Sequence, residues 1–160
     1  NFWITGKRAE LLKLLERVDV LLVNDGEARQ LAGESNVIKA AQAIHRMGPT
    51  AVVIKRGEYG AILHKDGESF HAPAFPLADV IDPTGAGDTF AGGFLGLLDR
   101  LDNQDVSAMK QAVVMGSTIA SFTVEKFSLD RLRELHLSEV MARFRAFRHL
   151  THFDELADIG

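Results

Sequence analysis

Asp82-Pro83-Thr84-Gly85-Ala86-Gly87-Asp88-Thr89-Phe90-Ala91-Gly92-Gly93-Phe94 decides how the rest of this 160-residue chain is read. Its first half is dense in turn formers. Its second half begins a stripe of Phe90, Phe94, Leu97, Leu98 and Leu101, and that spacing predicts a loop opening a helix over about 86–100. Such a turn leaves the N–H groups of the first helical turn aimed at one spot, where the helix dipole adds positive potential. Gly85, Gly87 and the small Ala86 keep bulk away, so an anion, typically a phosphate, fits there. Asp88 stands among those donors. Taken alone, the same residues also spell a dipole-favouring acid at a helix start, behind a tight glycine turn. Three other motifs are excluded by spelling. No Gly-x-x-x-x-Gly-Lys-Ser/Thr occurs, so there is no P-loop. Phe90 stands where a dinucleotide fingerprint needs its third glycine. No Gly-x-Ser-x-Gly nucleophile elbow exists either.

Upstream of the loop, Ala78–Ile81 is a short apolar run of strand character. Before it, Gly60–His64 and Glu68–Ala72 flank Lys65-Asp66-Gly67, a hairpin signal that Pro73 and Pro76 close. Ala51–Ile54 and Asp19–Val23 are apolar on consecutive positions, as strands covered on both faces are. Between them lie a short helix over 24–33 ended by Gly33 and a second over Val37–Met47, stopped by Gly48-Pro49. Thr5 is placed to cap a helix over 6–17 that carries Leu11, Leu14, Leu15 and Val18. Downstream, Val106, Met109, Val113 and Ala120 mark a helix over 105–120, and Ser138 is placed to cap a last one with Val140, Phe144 and Phe147. Strands separated by helices predict an α/β architecture with a mostly parallel sheet, to which the hairpin adds an antiparallel piece.

Composition narrows the function classes. With 46% hydrophobic and 25% charged residues the chain is neither disordered nor collagen-like. A net charge of −4 argues against a surface that coats nucleic acid. The absence of cysteine excludes a disulfide scaffold, a thiol nucleophile and Cys-ligated zinc. No apolar run approaches the roughly 20 residues of a membrane span, and no basic-then-apolar leader opens the chain. The expected compartment is the cytoplasm, with neither membrane nor nucleic acid as partner. His149, His152, Asp154 and Glu155 read as solvated surface rather than a metal cluster, and Arg131, Arg133, Arg143, Arg145 and Arg148 as a solvated helix face.

The string Asp82–Phe94 closely resembles the C-terminal signature of the ribokinase-like (PfkB) family of carbohydrate and nucleoside kinases. The resemblance implies the C-terminal portion of a three-layer, Rossmann-like fold. It assigns Asp88 as the general base and the amides of Gly85, Ala86, Gly87 and Asp88 as an anion hole for the γ-phosphoryl of ATP. A carboxylate that takes the proton from a poor hydroxyl nucleophile is worth ~10²–10⁴ in rate. Asn24 and Glu27 resemble the family's Asn-x-x-Glu element, which organises Mg²⁺ and phosphate, often through water. The same two residues spell a helix capping box, and both readings stand together. Lys55, Gly57 and Gly60 resemble the stretch that lines the nucleotide site, and also read as a plain strand-to-hairpin turn. Thr84 and, on the following helix, Ala112, Val113 and Gly116 fall at further ATP-facing positions, the helical ones equally legible as close packing. Asp82 and Thr84 correspond to a monovalent-cation (K⁺) site in several relatives. The segment Phe122–Ser128 lacks the Gly-rich turn many relatives have for its other half.

The resemblance runs over most of the chain, strongest at 79–98, then at 19–33 and 51–72 and weakest beyond about 121, and places residues 1–160 as one C-terminal, ATP- and phosphate-binding, catalytic portion. The family's N-terminal half, with its Gly-Gly substrate motif and lid, is not represented; the chain starts at Asn1 rather than Met. The implied activity is ATP-dependent phosphoryl transfer to a hydroxyl of a small sugar-like or nucleoside substrate. Two alternatives remain at this stage: a ribokinase-fold vitamin kinase, and a nucleotide-binding or interaction module without catalysis. The oligomeric state is open, a homodimer among the options.

Overall fold

Consecutive apolar residues need cover on both faces, and two helical layers supply it. In the computed structural model, which describes residues 2–156, β1 (Val20–Asn24) pairs parallel with β2 (Ala51–Lys55). β2 then pairs antiparallel with β3 (Ala61–Lys65), and β3 antiparallel with β4 (Glu68–Ala72), in the spatial order β1-β2-β3-β4. The helices are α1 (Phe2–Gly6), α2 (Arg8–Leu15), α3 (Asp25–Ala32), α4 (Val37–His45), α5 (Ala86–Leu101), α6 (Val106–Thr123), α7 (Asp130–Arg133) and α8 (Leu137–Thr151). Val52 and Ile54 of β2 pack with Leu15, Ala28, Leu31, Ala41 and Ile44 of α2–α4. Ala51 and Val53 face the other way, onto Phe90, Phe94 and Leu98 of α5 and Met109, Ala112 and Val113 of α6. Fully burying each such Val, Leu or Phe contributes roughly 1.5–3 kcal/mol, so β2 between two cores is the anchor of the fold.

The sheet is mixed rather than mostly parallel: among the described residues only β1 and β2 run parallel. The reason is connection length. A parallel neighbour needs a crossover of a dozen residues or more, and β2 reaches β3 through Arg56–Gly60 alone, a single 3₁₀ turn at Gly57–Tyr59. At the other end Asp66 and Gly67 both take positive φ (52° and 80°), a type I′ geometry matched to strand twist. Ala78–Ile81 forms no strand. Val80 and Ile81 are exposed, and the Ile81 N–H finds its acceptor at Val124 O beyond α6 instead of on a sheet neighbour.

Three helix starts differ from expectation. The first helix breaks at Lys7, which leaves helical φ/ψ after the flexible Gly6, so Thr5 lies inside α1 and Lys7 takes the N-cap position of α2. The sequence pattern leaves α7 unsignalled. α8 begins one residue before Ser138 because Glu139 closes on the His136 N–H at 3.1 Å, making His136 the cap.

Candidate active site

The loop before α5 is built by its own short hydrogen bonds. Asp82 accepts from the Thr84 N–H at 3.0 Å and the Ser128 N–H at 3.2 Å. Hydrogen bonds from the Thr84 backbone first, then the Thr84 side chain and the Ser128 backbone, hold the Asp82 carboxyl below the usual carboxylate range. Gly85 then turns the chain at φ 81°, with nothing within 4 Å of where a Cβ would stand. The Ala86 N–H donates to Pro83 O at 3.2 Å and the Asp88 N–H to Gly85 O at 3.1 Å. Thr89 fixes the turn from inside, its hydroxyl reaching Gly85 O at 3.1 Å and the Thr123 hydroxyl of α6 at 2.8 Å.

What remains is a pair of unspent donors. Among the described residues, no protein acceptor meets the N–H of Gly85 or of Gly87. They lie in the first turn of a 16-residue helix, where the dipole favours negative charge. Asp88 is exposed in that same turn, and no donor among the described residues reaches its carboxylate.

Strand ends bring two more candidates here. Asn24 and Lys55 are register partners at the carboxyl ends of the parallel pair, the place where open α/β sheets gather ligands. Lys55 Nζ donates to Gly87 O at 3.3 Å, and a Cβ on Gly87 would stand 2.9 Å from that ammonium. A cation therefore sits directly against the first turn of α5. Asn24 and Glu27 form the capping box: Asn24 Oδ1 accepts from the Glu27 N–H at 2.7 Å, and Glu27 Oε2 from the Asn24 N–H at 3.1 Å. The box uses one oxygen of each side chain.

The remaining positions lie elsewhere in the fold or at its surface. Gly60 (φ 82°) has Ala72 O only 2.0 Å from a notional Cβ, so the hairpin base demands a glycine. Gly57 (φ 57°) opens the 3₁₀ turn in open space. Thr84 is exposed beside Asp82. Ala112 and Val113 are wholly buried in the core, and Gly116 lies against Phe90 O of α5, 2.8 Å from its notional Cβ. These three are not brought to the loop. Two cavities, of about 260 and 350 Å³, lie under α8, one against β4 and one beside Phe122; neither is lined by the loop, whose face is open to solvent.

A family model described as pfkB family carbohydrate kinase matches residues 1–133. The chain belongs to the pfkB family of carbohydrate kinases. It is 42% identical over 92 residues to the cytidine kinase of Thermococcus kodakarensis, covering 56% of this chain and 33% of that one. It is 32% identical over 123 residues to the aminoimidazole riboside kinase of Salmonella typhimurium, covering 74% and 38%. The structure superposes with TM-score 0.76 and 27% identity on the aminoimidazole riboside kinase of Salmonella enterica, complexed with aminoimidazole riboside and an ATP analog. That match covers 88% of this chain and 47% of that one. The ribokinase-like α/β fold is thereby established for this pfkB chain, which spans about a third of the length of these two curated relatives. No helix among the described residues is long and apolar enough to cross a membrane.

One group of residues carried no sequence signal for its placement. Arg131 and Arg143 are not a solvated face; only 16% of each side chain is exposed, and both pair with Glu125. Their partners are remote in sequence, so helical spacing alone could not reveal them.

Proposed function

We propose that this chain carries the phosphoryl-transfer machinery of an ATP-dependent kinase acting on a hydroxyl of a sugar-like or nucleoside substrate. The observation that carries this reading is the first turn of α5: two N–H donors without protein acceptors, flanked by the Lys55 ammonium and the Asp88 carboxylate. The amides of Gly85 and Gly87 donate to phosphoryl oxygens, while those of Ala86 and Asp88 already donate to Pro83 O and Gly85 O and shape the turn. Lys55 adds positive charge where charge spreads during transfer. Asp88 accepts the proton of the attacking hydroxyl, and its lack of a competing donor leaves it available. Positioned donors and one base supply most of what phosphoryl transfer asks of a protein.

ATP and Mg²⁺ are the cofactors of this reading, with Mg²⁺ neutralising phosphate charge when bound. Asn24 and Glu27 offer hard oxygen donors suited to that ion through its waters, and the capping box fixes their orientation. Asp82 and Thr84, with Ser128 now beside them, are where a monovalent cation would sit. The relatives named as cytidine and aminoimidazole riboside kinases favour a ribosyl hydroxyl over other acceptors. A second reading, nucleotide binding without turnover, draws support from the open face of the loop, since efficient transfer needs water excluded.

Asp88→Asn separates the two. In the protein carrying its complete coding sequence, turnover with a nucleoside and sugar panel should fall by ~10²–10⁴ while ATP affinity stays within about threefold. Near-normal turnover in the variant overturns the assignment of Asp88. ATP binding without substrate-stimulated ADP release in the unmodified protein supports the second reading.

A further inference from the structure

α8 lies beyond the residues the family model matches, and a cluster of charges centred on Glu125 ties it to the end of α6. Glu125 stands just past the end of α6. It accepts from Arg131 Nε at 3.1 Å and pairs with Arg143 of α8 through its other oxygen. Arg131 also pairs with Glu139 of α8, and Arg143 Nη1 donates to Ser121 Oγ at 3.0 Å. Both guanidiniums lie over the Phe122 ring, Arg143 at 3.5 Å and Arg131 at 4.9 Å from its centroid. Arg143 covers Phe75 as well, at 4.7 Å. An exposed ion pair holds little, but this set is mostly buried, has two charges of each sign and is stacked on aromatic faces.

The segment gripped by these arginines grips the phosphate loop in turn. Val124 O accepts from the Ile81 N–H at 2.8 Å and the Asp82 N–H at 3.4 Å. Ser128, held at φ 55°, donates its N–H to Asp82. Residues 124–128 are thus fastened on one side to α8 and on the other to the root of the loop that carries Gly85–Asp88.

We propose that Glu125, Arg131 and Arg143 are positioning residues: through segment 124–128 they set the orientation of the phosphate loop, so that α8 governs phosphoryl transfer without touching a substrate. This rests on the reading of residues 85–88 as the phosphate site. Without Arg143, Glu125 keeps one partner, Val124 O and the Ser128 N–H lose their fixed position, and Asp82 is held only by Thr84. The loop amides then sample a wider spread of directions. Ground-state binding tolerates that spread better than transfer does, because transfer depends on sub-ångström placement.

The test uses Arg143→Met, which keeps an unbranched stem over Phe122 but removes the charge, and Arg143→Lys, which keeps the charge but loses the fork. Both are made in the protein carrying its complete coding sequence. In Arg143→Met the Ile81 and Ser128 amides should exchange about tenfold faster than in the parent, with the Phe94 amide in the α5 core unchanged. kcat should fall about tenfold with KM for ATP within about threefold, and Arg143→Lys should lie between parent and Met on both measures. Unchanged exchange at Ile81 and Ser128 overturns the proposal. Equal acceleration at Phe94 does so too, because it reduces Arg143 to a general stabiliser; Glu125→Gln repeats the comparison from the other side of the pair. The two readings fail separately. Loosened exchange with full turnover in Asp88→Asn leaves the coupling and removes the catalytic assignment; lost turnover in Asp88→Asn with unmoved exchange does the reverse.

Discussion

Gly60 and Gly85 share a positive φ, 82° and 81°, but ψ is −141° at Gly60 and −7° at Gly85, and they differ in everything around them. At the base of the hairpin, Gly60 is crowded: a Cβ there would meet Ala72 O at 2.0 Å, Pro73 C at 2.6 Å and Ala74 N at 2.8 Å. At the start of α5, Gly85 has nothing within 4 Å. Open space alone means little, since Gly67 is equally open at the tip of a turn closed by the Lys65–Glu68 pair. The space at Gly85 differs because its own N–H and that of Gly87 meet no protein acceptor among the described residues, and the Lys55 ammonium stands two residues on, against Gly87. One glycine is required by the protein's own chain; on the proposed reading the other leaves room for a phosphoryl group.

The sharpest way to break that contrast is to add a methyl group at each position. Gly60→Ala combines strain at positive φ with overpacking against backbone that cannot move aside, and should cost about 3 kcal/mol or more, read as a lower urea midpoint. Gly85→Ala meets only the conformational strain, about 1 kcal/mol on the same scale. Its larger effect should appear in calorimetric titration with MgATP, where the methyl group and the shifted turn weaken binding by about tenfold. Equal destabilisation by the two substitutions, or unchanged nucleotide affinity in Gly85→Ala, would remove the distinction.

The same contrast explains what could be read in advance. Asp66-Gly67 and the cap at Gly33 are local chemistry, legible from adjacent residues, and both have the conformation their spelling demands. Gly85–Asp88 was legible because turn and helix start are also local. Ala78–Ile81 misled because an apolar run spells a strand whether or not another strand lies beside it; here Ile81 bonds Val124 instead. Arg131 and Arg143 misled for a related reason. Charge on a helix reads as solvated until Glu125 and Phe122 are known to face it from across the fold. Small residues at 112 and 116 fit equally a ligand and a neighbouring helix, and in the structure they lie against Phe90 and the core. Contacts between residues far apart in sequence are what the pattern of one chain cannot spell.

Acid should separate the hairpin from the loop once more, with a smaller effect. His64 of β3 is buried at 3% exposure, bonded to the Ser69 hydroxyl at 3.1 Å, with the His45 ring 5.8 Å away edge-on. Burial first, then the neighbouring His45, pushes its pKa below the ordinary 6.5, against a hydrogen bond at the Glu68 backbone that raises it. Because the folded state resists protonation, the unfolded chain binds the extra proton as pH falls below 6.5, and stability declines until the lowered folded pKa is passed. Asp82 behaves differently: its carboxyl is lowered from 3.8, so what it contributes is present above that pH and lost only as pH falls through the folded value. The urea midpoint should therefore drop as pH falls below 6.5, with the hairpin amides of β3 and β4 loosening first, while the Ser128 amide bonded to Asp82 stays protected until the pH is below 3.8. His64→Gln should flatten the upper decline and leave the lower one. A decline that persists in His64→Gln would shift the acid sensitivity from the hairpin to another group.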